Sequence, residues 1–256
     1  MEFKNVQCFY FSPTGNTKKS VISIASTISD SYSEKDLTKS KNRGEILEFS
    51  SDDLVIVGVP VYGGRIPLIN GGLLSLKGNN TLAVAIVNYG NREYEDSLLE
   101  LSTYLHENGF KVIAAAAFLG EHSYTRKVGE NRPDSNDIKD MNEFGERIKK
   151  RILDNNLTEV KVDGNFPFKE RKESPKYSPC TRDNCIDCMM CRELCPVDAI
   201  DEMNPRLTDK DKCIKCCACI KGCPANAKYM DNETYTYFVN FLEEKCIKRK
   251  QPSLFI

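Results

Sequence analysis

The feature that most constrains this chain is a repeated cysteine pattern near its C-terminal end. Cys185, Cys188, Cys191 and Cys195, followed by Pro196, recur as Cys213, Cys216, Cys219 and Cys223, followed by Pro224, at an offset of 28 residues. Ten of the 12 cysteines fall between Cys180 and Cys223. In a secreted chain such density would signal disulfides, whereas ligand spacing of this kind in a reducing compartment signals metal.

Each copy reads C-x2-C-x2-C-x3-C-P. Three closely spaced thiolates can hold three irons of one 4Fe-4S cubane while the fourth reaches across to a second cluster. This assigns Cys185, Cys188, Cys191 and Cys223 to one cluster and Cys195, Cys213, Cys216 and Cys219 to the other. Paired CxxC also holds zinc, but two such copies exceed what one tetrahedral ion requires. The segment resembles the bacterial 2×4Fe-4S ferredoxins over residues 181–231, including CPVDAI and GCPANA after the ligands. A stretch of about 50 residues is too small to stabilise itself on apolar burial, so cluster binding is expected to contribute to its folding. Cys8 and Cys217 read as small packing residues, and Cys180 and Cys246 have no assigned place.

The N-terminal part alternates short apolar runs with helical patterns, the signature of strand and crossover-helix units building a parallel sheet. Strands are expected at 6–11, 54–59, 81–87 and 112–118, with a weaker one near Lys35–Thr38. Helices are expected near 17–29, 67–76, 94–108 and 135–154, the last with Asp134 or Ser135 as N-cap. The loop Ser12-Pro13-Thr14-Gly15-Asn16-Thr17 runs from the first strand into a helix, so its N–H groups and the helix dipole can converge on an anion. It matches neither GxGxxG nor a Walker A loop, and an N-capped turn reads the same way. Two further loops at strand ends, 60–67 and 88–94, would surround the same crevice at the topological switch point.

Over residues 3–153 this part resembles the flavodoxin family, whose FMN phosphate loop has the form S/T-x-T-G-N-T. The resemblance implies a doubly wound five-stranded parallel sheet of order 2-1-3-4-5. It places Ser12, Thr14, Gly15, Asn16 and Thr17 on the phosphate, and Pro60, Val61, Tyr62 and Gly63 with Asn88, Tyr89, Gly90, Asn91 and Tyr94 around the isoalloxazine. Tyr94 looks like the tyrosine that stacks on the ring, Tyr62 is a candidate for its other face, and Gly63 and Gly64 would permit peptide reorientation near N5. Two departures stand out. Arg65 and Arg92 occupy loops where flavodoxins usually carry acidic residues, and the segment 120–133 is long enough to cover the flavin. Within it, His122 is a candidate proton donor, and the second histidine, His106, reads as surface helix.

The expected organisation is a flavodoxin-like FMN domain at 1–154, a linker at 155–179, an α+β ferredoxin domain at 180–231 and a helical tail at 232–256. The whole resembles the flavodoxin-ferredoxin fusions of anaerobic bacteria and archaea. That resemblance implies FMN and two 4Fe-4S clusters, redox protein donors and acceptors, and a low-potential carrier role. A reductase passing electrons to a small molecule is the alternative, and a homodimer is left open. The 36 basic and 37 acidic residues nearly cancel, which removes the field that draws proteins to nucleic acid or anionic membranes. No apolar run reaches about 20 residues and the first residues lack a signal pattern, so a cytoplasmic protein without a membrane span is expected.

Overall fold

The computed structural model describes residues 5–69, 74–171 and 175–256. Strands β1 (Asn5–Tyr10), β2 (Ser33–Asp36), β4 (Asp53–Pro60), β6 (Thr81–Tyr89) and β7 (Phe110–Leu119) form a parallel sheet in the order β2-β1-β4-β6-β7. Its central strands are buried on both faces, and this is why they read as continuous apolar runs. Val55, Val57 and Val59 face one core together with Leu98, Leu101 and Leu105 of α2 (Ser97–Glu107). Leu54 and Ile56 face the other, shared with α1 (Asn16–Ile28) and α3 (Ser135–Leu153). Gly58 lets α1 approach β4, since a Cβ there would lie 2.3 Å from Val21 Cγ2. Asp134 caps α3 through a capping box with Asp137.

Three expectations need correction. The sheet has six strands, because β10 (Ser253–Phe255) pairs antiparallel with β7, matching Leu254 to Ala116. The tail is therefore not only helical: α6 (Glu233–Lys245) is followed by this strand, which covers an otherwise open sheet edge. No helix forms near 67–76 among the described residues. Instead, β5 (Leu76–Gly78) pairs with β3 (Leu47–Phe49) in a small parallel ribbon, while 70–73 lie outside the described residues.

The cysteine repeat is also a repeat of backbone. Asp187, Met189 and Asp198 have positive φ, and so do Lys215, Cys217 and Asn226, each pair 28 residues apart. These left-handed residues turn the chain tightly around the ligand segments, leading into short helices α4 (Met190–Leu194) and α5 (Ala218–Lys221). Two short antiparallel pairings complete the unit: β8 (Cys180–Thr181) with β9 (Lys228–Tyr229), and an isolated bridge between Ile200 and Thr208.

The remaining segments are fastened down by polar contacts. In the connecting stretch, Asp96 accepts hydrogen bonds from the backbone N–H groups of Asn165 and Lys169, and Arg171 reaches Glu100. Arg43 donates to the carbonyl of Pro196 at 2.7 Å, and Ser40 donates to Asp198 at 2.6 Å, tying the cysteine module to the loop after β2.

Candidate functional site

The structure gathers the cysteines into two rings. Cys185, Cys188, Cys191 and Cys223 line one cavity, and Cys195, Cys213, Cys216 and Cys219 line another, so each repeat lends its last cysteine to the other's ring. Among the described residues, no three Cys, His, Asp or Glu side chains stand close enough to share one ion. Four thiols spaced around a cavity suit a cubane, in which each thiolate takes its own iron, better than a single zinc. Ala199 N–H donates to Cys195 Sγ at 3.3 Å and Ala227 N–H to Cys223 Sγ at 3.2 Å, again 28 residues apart. Such bonds favour thiolate. At Cys223 burial opposes ionisation, yet the N–H groups of Lys228, Ala227 and Ala225 and the Lys228 charge together hold the thiol below its usual value. Burial pushes Cys216 well up and Cys219 up to about 12, which favours the protonated thiol at both when no metal is bound.

The other cysteines are placed as well. Cys8 is fully buried in β1 and Cys217 is buried and also lines the second cavity, while Cys180 is exposed in β8. Cys246 packs against Val128 and Leu242.

At the carboxyl end of the sheet, Gly15 takes a positive φ before α1 and Ser12 Oγ accepts from the Lys18 N–H. Among the described residues, the N–H groups of Thr14, Asn16 and Thr17 meet no protein acceptor, leaving converging donors at the positive end of the helix. These donors fit a phosphate. The loop after β4 carries Gly63 and Gly64, both with positive φ, in a tight turn closed by Tyr62 N–H to Arg65 O at 2.9 Å. Val61 N–H joins it to Asn88 O, which brings the loops at 60–67 and 88–94 side by side. Asn88 donates to Ser20 Oγ, but its buried Oδ1 has no partner among the described residues.

Other expected flavin contacts are directed elsewhere. Asn91 is fully buried, and its amide donates to the carbonyls of Cys246 and Lys248 in the C-terminal tail. Tyr94 packs on the core beside Tyr89, with ring centroids 5.5 Å apart. Tyr62 also packs on the core; burial and the nearby thiols Cys216, Cys217 and Cys213 push its phenol well up. The two loop arginines are neutralised: Arg65 forks onto Glu100 and Arg92 pairs with Glu95 at 2.7 Å. The cationic setting expected for the flavin is thus largely cancelled.

His122 lies against Gly90, where an added Cβ would approach its ring to 2.5 Å. Its Nδ1 accepts from Tyr124 N–H, which places the proton of the neutral ring on Nε2. Burial, then the charges of Lys221 and Arg92, bring it down to about 4. At neutral pH it can donate a hydrogen bond but holds no spare proton. His106 is exposed and faces Glu159.

Sequence reasoning missed the residues that join the two parts. Lys221 Nζ reaches Glu121 Oε1 and His122 O, each at 2.7 Å or less. Val197 and Ile214, which line the second cysteine cavity, pack against the same sheet core as Val61 and Tyr62. Tyr235 of α6 donates to Tyr124 O at 2.6 Å. None of these carries a motif, although the offset of 28 residues marks Lys221 as the counterpart of Glu193.

The 4Fe-4S binding domain family matches residues 181–201. Among curated proteins, none matches the chain. Solved structures similar to residues of this chain include an archaeal flavodoxin, with 15% identity, TM-score 0.37 and coverage of 58% of this chain and 99% of that one. A rubredoxin oxygen:oxidoreductase from Desulfovibrio gigas has 20% identity and TM-score 0.41 over 60% of this chain, which spans only 37% of that protein. A flavodoxin, WrbA-like protein from Agrobacterium tumefaciens has 12% identity and TM-score 0.40, covering 59% and 98%. No described helix is long and apolar enough to cross a membrane. The chain thus joins a mainly parallel α/β sheet to a C-terminal segment that matches the 4Fe-4S binding domain family.

Proposed function

We propose that the chain is an electron-transfer protein that passes electrons between two 4Fe-4S clusters and FMN, acting as a low-potential carrier between redox proteins. The observation that carries this reading is the exchange of cysteines between the rings, with Cys223 in the first and Cys195 in the second. An FMN domain at 1–154 and a cluster domain at 180–231 divide the work. Bound clusters exchange single electrons and FMN exchanges one or two, so joining them in one chain interconverts the two.

The chain's own groups have definable parts. The free N–H groups of Thr14, Asn16 and Thr17 would hold the phosphate. Gly63 leaves the loop backbone open, since a Cβ there would meet nothing within 4 Å, whereas Gly64 is closed in by Glu95. The sulfur-directed N–H groups of Ala199 and Ala227 stabilise charge on Cys195 and Cys223.

A second reading is a reductase delivering electrons from the clusters through FMN to a small molecule. What favours it is the His122 tautomer, with Nδ1 engaged by Tyr124 and Nε2–H left to orient a bound acceptor. Anaerobic reconstitution followed by reduction in the presence of redox proteins alone tests the first reading. Turnover that requires a small-molecule acceptor and falls at least about tenfold in His122→Ala supports the second.

A further inference from the structure

The two halves of the cysteine repeat present equivalent faces, and only one of them is covered. Ile214 packs against the sheet core, whereas its counterpart Ile186 is 65% exposed. Lys221 is held by Glu121 and the His122 carbonyl, whereas its counterpart Glu193 is exposed and makes no ion pair among the described residues. One pair of cysteines differs in the same way, Cys216 being buried and its counterpart Cys188 exposed, while Cys191 and Cys219 are both buried. Ile186 lines that cavity, and Met190, Met203 and Leu207, at 45%, 90% and 57% exposure, lie within two residues of its lining residues Met189, Cys191 and Pro205. Clusters of exposed apolar side chains beside a buried centre mark docking surfaces.

Charge says what kind of partner fits. On the covered face a cation of the repeat, Lys221, meets a carboxylate of the α/β part, Glu121. On the open face the same position is a carboxylate, with Asp183 and Asp201 exposed as well. The cations nearby are engaged, Arg206 with Asp187, Arg192 with Glu202, and Arg182 over the Tyr229 ring and with the Asn226 carbonyl.

We propose that the ring of Cys185, Cys188, Cys191 and Cys223 is the electron port of this chain, at which a one-electron redox protein with an apolar, basic-rimmed face docks. The ring of Cys195, Cys213, Cys216 and Cys219 is then the inner relay toward the flavin loops. The proposal rests on the electron-transfer reading above. Each encounter moves one electron and no atom: the reduced chain is oxidised by one electron and the oxidised centre of the partner is reduced by one.

The test uses reconstituted, dithionite-reduced holoprotein freed of excess reductant, with cytochrome c as a basic one-electron acceptor. Glu193→Lys and Met203→Lys should each slow cytochrome c reduction at low ionic strength by about fivefold or more, the difference shrinking in about 0.5 M salt. Glu146→Lys, the same charge change as Glu193→Lys but on the exposed face of α3, should leave the rate within about twofold. Unchanged rates in both port variants with full iron and flavin content, or equal slowing by Glu146→Lys, would overturn the port while sparing the electron-transfer reading. A wild-type chain that holds no clusters after reconstitution would sink that reading, and the port with it.

Discussion

Asn91, in the loop after β6, donates a 2.6 Å hydrogen bond to the carbonyl of Cys246, 155 residues later in the chain. The same side chain accepts from Lys250 N–H, and Arg132 Nη1 bonds to the Lys250 carbonyl at 3.2 Å. Arg132 is itself locked to Asp137, both being almost fully buried. The loop at the crevice and the C-terminal tail are thus one polar assembly. Replacing Asn91 by Ala strands the carbonyl of buried Cys246 and removes the bond to the Lys248 carbonyl. The expected loss is about 1–3 kcal/mol in urea unfolding, with earlier release of the tail in hydrogen exchange.

Gly90 tests how closely the 120s loop lies on the crevice. A Cβ at this position would stand 2.8 Å from His122 Cα, a backbone atom that cannot swing aside. Gly90→Ala should therefore cost about 1–3 kcal/mol, read by thermal or urea unfolding, and weaken FMN binding in a fluorescence titration. Unaltered stability would mean that His122 does not lie on Gly90.

The pH response of His122 has a definite sign. Its native pKa is brought down to about 4 from the usual imidazole value of 6.5 by burial first and then by the charges of Lys221 and Arg92. The native ring therefore refuses a proton that the unfolded chain accepts. Stability from this site is full above about pH 6.5, falls as the pH drops toward 4 and is lost below it, by at most about 3 kcal/mol. Comparing Tm against pH for wild type and His122→Gln should show a smaller acid-side fall in the variant. Parallel curves would contradict the burial of this imidazole.

Arg43 is the clearest polar tie between the loop after β2 and the cysteine module, donating to the carbonyls of Leu37, Thr38 and Pro196. Arg43→Ala should loosen that contact. The expected readout is faster trypsin cleavage in the 155–179 stretch, with iron content unchanged, and a stability loss of about 1–3 kcal/mol.

How much of this was legible beforehand differs by element. The β4 and β6 runs were readable because both sheet faces bury them, and Asp134 because capping chemistry is local. The rings of cysteines were readable because thiol spacing reports ligand geometry directly. β10 was not, since three residues carry no periodicity and their partner strand lies more than 130 positions earlier. The tail contact of Asn91, which was read as a flavin contact, and the role of Lys221 escaped for the same reason: each acts through partners about 100 or more residues away, and no local pattern marks such contacts. Arg65 and Arg92 were seen, but not the carboxylates that neutralise them.

The central claim is that both rings of four cysteines hold cubanes beside an FMN. The most direct measurement is iron, acid-labile sulfide and flavin content after anaerobic reconstitution. The account predicts about eight iron and about eight sulfide per chain with about one FMN. About four of each, or zinc in place of iron and sulfide, would contradict it.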